Sequence, residues 1–183
     1  MIIRKLIGKY RLWRFAHALP KERGRMLHEG YVGDTKVGKD CEIFTKNIPF
    51  GSEPYLVEIG DHVRITDGVK FCTHDGGLWV LRESEAFRNA DYFGRIIVEN
   101  NVHIGWNSII MPGVTIGHDS VIGCGAVVTK DIPPYSVAVG VPARVVKTIE
   151  EYKKSKEETV VFTKNFSKAK KREFLCEKYK ITG

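Results

Sequence analysis

From Val98 the chain counts in sixes: VENNVH, IGWNSI, IMPGVT, IGHDSV, IGCGAV, VTKDIP. Val98, Ile104, Ile110, Ile116, Ile122 and Val128 hold one phase. Four places on, Val102, Ser108, Val114, Ser120, Ala126 and Ile132 hold a second, and all are small or branched. A helix of 3.6 residues per turn cannot keep a strict period of six on one face. Pro112, Gly117, Gly123, Gly125 and Pro133 argue against helix as well. A short strand followed by a turn does fit six residues. Gly, Asn or Asp then supplies the turn, and the lead residue points inward. Three units close one triangular coil, and coils stacked about 4.8 Å apart bury a continuous aliphatic column. The expectation is an all-β solenoid.

The same phase appears earlier. Ile59-Gly60, Ile65 and Phe71 lead units, with Val63 and Val69 four places on, and weaker units begin at Val37-Gly38 and Ile43. The solenoid is therefore expected over residues 31–148, with one interruption. Between Phe71 and Val98 the period fails in THDGGLWVLRESEAFRNADYFGR, so residues 74–95 read as a loop. A long polar loop breaking a rigid column is a natural place for function. It opens on Thr73-His74-Asp75 and carries Trp79, Arg82, Arg88, Tyr92 and Arg95.

The rest of the chain frames this column. Apolar residues make up 43% and charged residues 28%, which suits a packed core rather than disorder. No apolar run reaches the roughly 18 residues a bilayer requires. Arg11, Arg14 and His17 interrupt any signal-peptide core. The four cysteines form no CxxC pair, as expected of reduced thiols in a cytoplasmic protein. The net charge of +7 concentrates at the ends: Arg4, Lys5, Lys9, Arg11 and Arg14, then Lys164, Lys168, Lys170, Lys171 and Arg172. Solvated helix faces, an anionic membrane surface and a polyphosphorylated ligand all fit that pattern. A nucleic-acid partner is not expected. Residues 1–30 read as an N-terminal helical cap, with apolar positions 3, 6, 7, 10, 13, 15 and 19 packing over the first coil. Residues 149–183 read as a charged helical tail.

The run IIVENNVHIGWNSIIMPGVTIGHDSVIGCGAVVTKDIPPYSVAVGVPARVVK resembles the C-terminal half of galactoside and maltose O-acetyltransferases. It is also similar to O-acetyltransferases of capsule and other surface polysaccharides. The resemblance implies a left-handed parallel β-helix, assembled as a homotrimer, using acetyl-CoA as acyl donor and a carbohydrate as acceptor. The left hand comes from the resemblance alone and runs against the usual crossover rule. A histidine on the loop-bearing coil serves as general base in that family, and His74 is the match. The chemistry suits it, since imidazole takes a proton near neutral pH from a hydroxyl that is otherwise a poor nucleophile.

The resemblance also assigns the coenzyme end. Thr129 and Lys130 line the coenzyme, Arg144 and Lys147 reach its phosphates, and Trp106 and Cys124 fall where relatives contact the pantetheine arm or acetyl group. Asn47 and Asp75 are the candidates for the acceptor, with Asp75 also placed to orient His74. No metal is expected. N-acetylation of an amino sugar or antibiotic uses the same scaffold and stays open. So do a non-catalytic solenoid and a metal-dependent hydratase. The last requires three histidines meeting at a subunit interface, including a close pair that this sequence lacks.

Overall fold

The computed structural model describes residues 2–47 and 49–181, with side chains described from residue 6 onward. Two helices open the chain, α1 (Ile2–His17) and α2 (Pro20–His28). Short strands follow: β1 (Lys36–Val37), β2 (Glu42–Ile43), β3 (Val57–Ile59), β4 (Arg64–Ile65) and β5 (Lys70–Phe71). A loop with one short helix, α3 (Leu78–Leu81), interrupts them. Strands β6 (Ile96–Val98), β7 (His103–Ile104), β8 (Ile109–Ile110), β9 (Thr115–Ile116), β10 (Val121–Ile122) and β11 (Val127–Val128) continue the series. It ends in β12 (Ser136–Val139) and β13 (Arg144–Thr148).

These strands form three sheets in rotation. The first face is β1-β3-β6-β9, the second runs β2-β4-β7-β10-β12-β13, and the third is β5-β8-β11. All pairs are parallel except β12 with β13. Stacked partners such as His103 and Val121 lie 18 residues apart above the loop, and Arg64 and His103 lie 39 apart across it. The chain is thus a three-faced parallel solenoid from which the loop swings out and returns.

The six-residue phase is the core. Ile43, Ile65, Ile104 and Ile122 stack up the second face, each fully buried, and Ile59, Val98 and Ile116 do so on the first. Phe71, Ile110 and Val128 line the third. The second phase also points inward, with Val63, Val69, Val102, Val114 and Ala126 buried. Ser108 sits among them because its hydroxyl donates to the carbonyls of Gly105 (2.8 Å) and Gly123 (3.0 Å). The corner between first and second faces turns through residues in the left-handed region: Asp40, His62, Asn101, Asp119 and Tyr135. Asn and Asp tolerate that conformation at low cost.

The lower end of the column is capped by α2, with Phe15 the one buried side chain that α1 adds from Leu6 onward. Met26 and Leu27 are buried, and Gly24 lies so close to β2 that a Cβ there would sit 2.0 Å from the Cys41 carbonyl oxygen. Beside it Arg23 is buried and donates to four carbonyls: Phe15, Ala16, Ile43 and Phe44. Burial lowers its pKa, with Asp67 opposing. Arg23 therefore ties the end of α1 to the exit of β2. Of the positions expected to pack over the first coil, Phe15 is buried in the core, Ile3 lies outside the described side chains, and Leu6, Ile7, Tyr10, Trp13 and Leu19 are exposed. Leu6, Tyr10 and Trp13 are about 60% exposed, because α2 already occupies the edge.

Residues Met1–Glu151 form one compact unit and Tyr152–Gly183 a second. Helix α4 (Ile149–Lys154) links them, and α5 (Lys168–Lys178) lies within the second. The tail is not one continuous helix. Non-helical turns occupy much of 155–167, where Thr159, Val160, Val161, Thr163 and Asn165 are poor helix formers. Within the second unit Phe166 packs edge-on against Phe174, at 5.9 Å between ring centroids.

Candidate active site

His74 stands at the end of β5, where the solenoid gives way to the loop. The returning loop zips onto it: Phe93 forms an antiparallel bridge with His74, and Gly94 N–H donates to Thr73 O at 2.9 Å. The Phe93 ring meets the imidazole edge-on at 6.2 Å. One side of the imidazole is fixed by a coil that the sequence did not single out. Its Nδ1 lies 3.1 Å from Glu53 Oε2 and 3.5 Å from Ser52 Oγ. The same Glu53 oxygen accepts the hydroxyl of fully buried Thr73 at 2.6 Å. The His74 side chain stays 47% exposed, and Nε2 carries no hydrogen bond among the described residues.

Gly51 brings the two segments together. Its φ is +68°, and a Cβ there would press on Phe71 O and Thr73 Oγ1, both at 3.1 Å. Only glycine adopts that turn at that spacing without strain. Hydrogen bonds from Thr73 and Ser52, and then from His74, hold the Glu53 carboxyl below its ordinary pKa. An ionised carboxylate at Nδ1 fixes the tautomer, so that Nε2 is the basic nitrogen.

Asp75 does not hold His74. Neighbouring residues on extended chain face opposite ways, and Asp75 Oδ1 instead accepts the Gly77 N–H at 2.8 Å. Asn47 is exposed on the lowest coil, and its carbonyl accepts from Thr45 Oγ1 at 3.0 Å. The other coil histidines are engaged elsewhere. His103 faces outward on the second face, where burial and then the Arg64 charge push its imidazole below the ordinary value. His118 Nδ1 pairs with Asp119 (2.8 Å) and His62 Nδ1 with Asn101 (2.8 Å).

The coenzyme candidates fall into two groups. Thr129 and Lys130 follow β11, on the same corner as His74 and on coils above it, since β5, β8 and β11 stack in register. Both are exposed. Trp106 and exposed Cys124 stand on the opposite corner of the third face, linked by Gly125 N–H to Trp106 O at 2.7 Å. About six extended residues, roughly 20 Å, separate the corners. Residues 140–143 cross the top of the third face, where Val127 N–H donates to Gly140 O and Ala143 N–H to Val127 O. The chain then doubles back as β13. Arg144 pairs with Val139, Lys147 with Val137, and both basic side chains are exposed. One chain therefore brings Lys130 and Thr129 to the corner of His74, and carries Trp106, Cys124 and Arg144 toward the other.

A cavity of about 900 Å³ opens elsewhere, on the second face, lined by Lys21, Arg25, His28, Arg64 and His103. His74 is not among its walls. Size alone does not locate the chemistry here. Among the described residues, only the corner of His74 combines an exposed imidazole with an orienting carboxylate reached across coils.

Comparison with known proteins gives the family and the fold. Residues 95–130 match the family described as hexapeptide repeat of succinyl-transferase. The chain is 48% identical over 146 residues to Protein CapG of Staphylococcus aureus, covering 79% of this chain and 84% of that one. It is 35% identical over 167 residues to galactoside O-acetyltransferase of Escherichia coli K12, covering 81% and 80%. The crystal structure of a maltose O-acetyltransferase from Clostridium difficile superposes with a TM-score of 0.53 at 30% identity, covering 77% and 83%.

Proposed function

The chain belongs to the hexapeptide-repeat acetyltransferases, and from that premise we propose that it moves the acetyl group of acetyl-CoA to a hydroxyl of a sugar or polysaccharide precursor, with His74 as general base. The observation that carries this reading is the His74–Glu53 pair at the mouth of the loop. A neutral imidazole with Nδ1 engaged and Nε2 open is what an attacking hydroxyl needs. As the acceptor oxygen bonds to the thioester carbonyl carbon, its proton passes to Nε2. Glu53 stabilises the imidazolium that forms. A backbone N–H of a neighbouring coil supplies the oxyanion donor. When the C–S bond breaks, the proton returns to the leaving thiolate, and the products are an acetyl ester and free CoA.

The solenoid is left-handed and trimeric in this reading. The division of the coenzyme residues supports the second point. His74 and Lys130 on one corner, and Trp106 and Cys124 on the other, are too far apart to meet within one chain. A threefold ring of identical chains sets one corner against the other, so each site draws on two chains. Lys147 and Arg144 then meet the coenzyme phosphates as exposed cations. Asn47 and the loop, Asp75 included, face the acceptor.

The experiment is thiol release from acetyl-CoA across a panel of sugars, nucleotide-sugars and amino sugars. Release that depends on a neutral sugar, with a product cleaved by hydroxylamine as esters are, is the expected result. Release only with amino sugars, giving a stable amide, would overturn O-transfer. No coenzyme binding by calorimetry would overturn the enzyme reading altogether.

A further inference from the structure

Helix α1 is exposed on almost every side. From Leu6 onward its one buried side chain is Phe15, at 1% exposure, held where Arg23 grips the Phe15 and Ala16 carbonyls. On the opposite side of the helix runs a stripe of Leu6, Tyr10 and Trp13, spaced i, i+4, i+7. These three are 60%, 58% and 58% exposed. The stripe is ordered rather than ragged: Tyr10 stacks on Trp13 at 6.3 Å between centroids, and Trp13 lies 4.6 Å from the His17 ring. A helix holding so much apolar surface in water, with a single buried anchor, lacks the packed face that normally stabilises such a segment.

Charge says what covers it. The helix IIRKLIGKYRLWRFAH carries Arg4, Lys5, Lys9, Arg11 and Arg14 and no acidic residue. On the helical wheel Lys9 flanks one edge of the stripe, and Arg14 then Arg11 flank the other. A second copy meeting this face stripe to stripe would bring the Lys9, Arg11 and Arg14 that flank it against the same three cations, which opposes the contact. An anionic bilayer meets both needs at once. Its acyl boundary takes Leu6 and the apolar edges of Tyr10 and Trp13, rings that favour the headgroup level, while lipid phosphates take the flanking cations. No helix among the described residues is long and apolar enough to cross a membrane, so the contact is lateral.

We propose that α1 is an interfacial anchor, which lays the Leu6–Tyr10–Trp13 stripe into the surface of a bilayer carrying anionic lipids. The anchor stands independently of the acceptor's identity. It also gives the N-terminal basic cluster a role that the acetyl-transfer site does not.

The test is flotation of the full chain with vesicles of phosphatidylcholine, alone or with about 30% phosphatidylglycerol. The chain should float with the anionic vesicles and not the neutral ones, and raised salt should weaken the association. The double substitution Leu6→Asp, Trp13→Asp should reduce binding about tenfold or more, as should Lys9→Glu, Arg11→Glu. Both variants should keep the wild-type sedimentation coefficient and thioester cleavage. Absent or equal association with the two vesicle types would overturn the proposal. So would a smaller assembly for the Leu6→Asp, Trp13→Asp variant, because that result would put the stripe against another copy of the chain.

Discussion

Replacing His74 by alanine is expected to lower acetyl transfer by more than about a hundredfold while coenzyme binding persists. The imidazole is half exposed at the rim of the column, and the backbone bridge to Phe93 survives the loss of the ring. The variant should therefore fold and melt much as the parent does. Under the proposed mechanism, it loses the one acceptor for the hydroxyl proton. A direct attack leaves no enzyme nucleophile to compensate, so the loss should appear in kcat, with the Michaelis constant for acetyl-CoA little changed. Activity near that of the parent would remove His74 from the chemistry.

Glu53→Gln is expected to lower kcat by about tenfold to a hundredfold, again with coenzyme affinity retained. The amide keeps an oxygen for the Thr73 hydroxyl and for Nδ1–H, so the geometry survives. The charge that stabilises the imidazolium does not. Glu53→Ala should be at least as slow, since it frees the ring as well. A purely structural Glu53 would instead lower thermal stability in step with activity, and Glu53→Gln would stay active. The stability difference between parent and Glu53→Gln has a defined pH window. Hydrogen bonds from Thr73, Ser52 and His74 depress the folded carboxyl pKa. Its contribution is therefore fully present above the unfolded value, about 4.3. It is lost only as pH falls through the lower folded value. Melting curves of the two proteins should converge below the ordinary carboxylate range and differ at neutral pH.

How far the sequence reaches is clear from particular residues. Ile104, Ile110, Ile116 and Ile122 announced the column because every coil must bury one residue at the same phase, and those positions are fully buried. His74 stands out as a candidate in the sequence because it lies where the phase breaks and matches the histidine of the resembling family. Glu53 does not. It lies 21 residues from His74, outside any six-residue unit, and meets the imidazole only because successive coils stack. The one local hint was Phe50-Gly51-Ser52-Glu53-Pro54, where a glycine and a proline bracket a carboxylate. Adjacency along extended chain argues against Asp75 as the group that orients His74, and its carboxylate accepts from the Gly77 N–H instead. The apolar positions of α1 divide between buried Phe15 and the exposed Leu6, Tyr10 and Trp13. Periodicity says which residues share a face and says nothing of what that face meets. The split of the coenzyme residues between two corners also required the fold, since residues 106 and 129 differ in corner as well as in coil.

The idea that one imidazole serves a groove built by two chains is tested most directly by mixing two disabled variants. His74→Ala removes the base from one corner. Cys124→Trp fills the exposed opposite corner, where the thioester arm is placed. Each should be inactive alone. Co-expressed and co-purified, they should regain up to about a quarter of parental activity, because random assembly leaves some sites with both corners intact. No recovery in mixed, folded assemblies would contradict a site shared between chains, and full activity of Cys124→Trp by itself would contradict the corner assigned to the coenzyme.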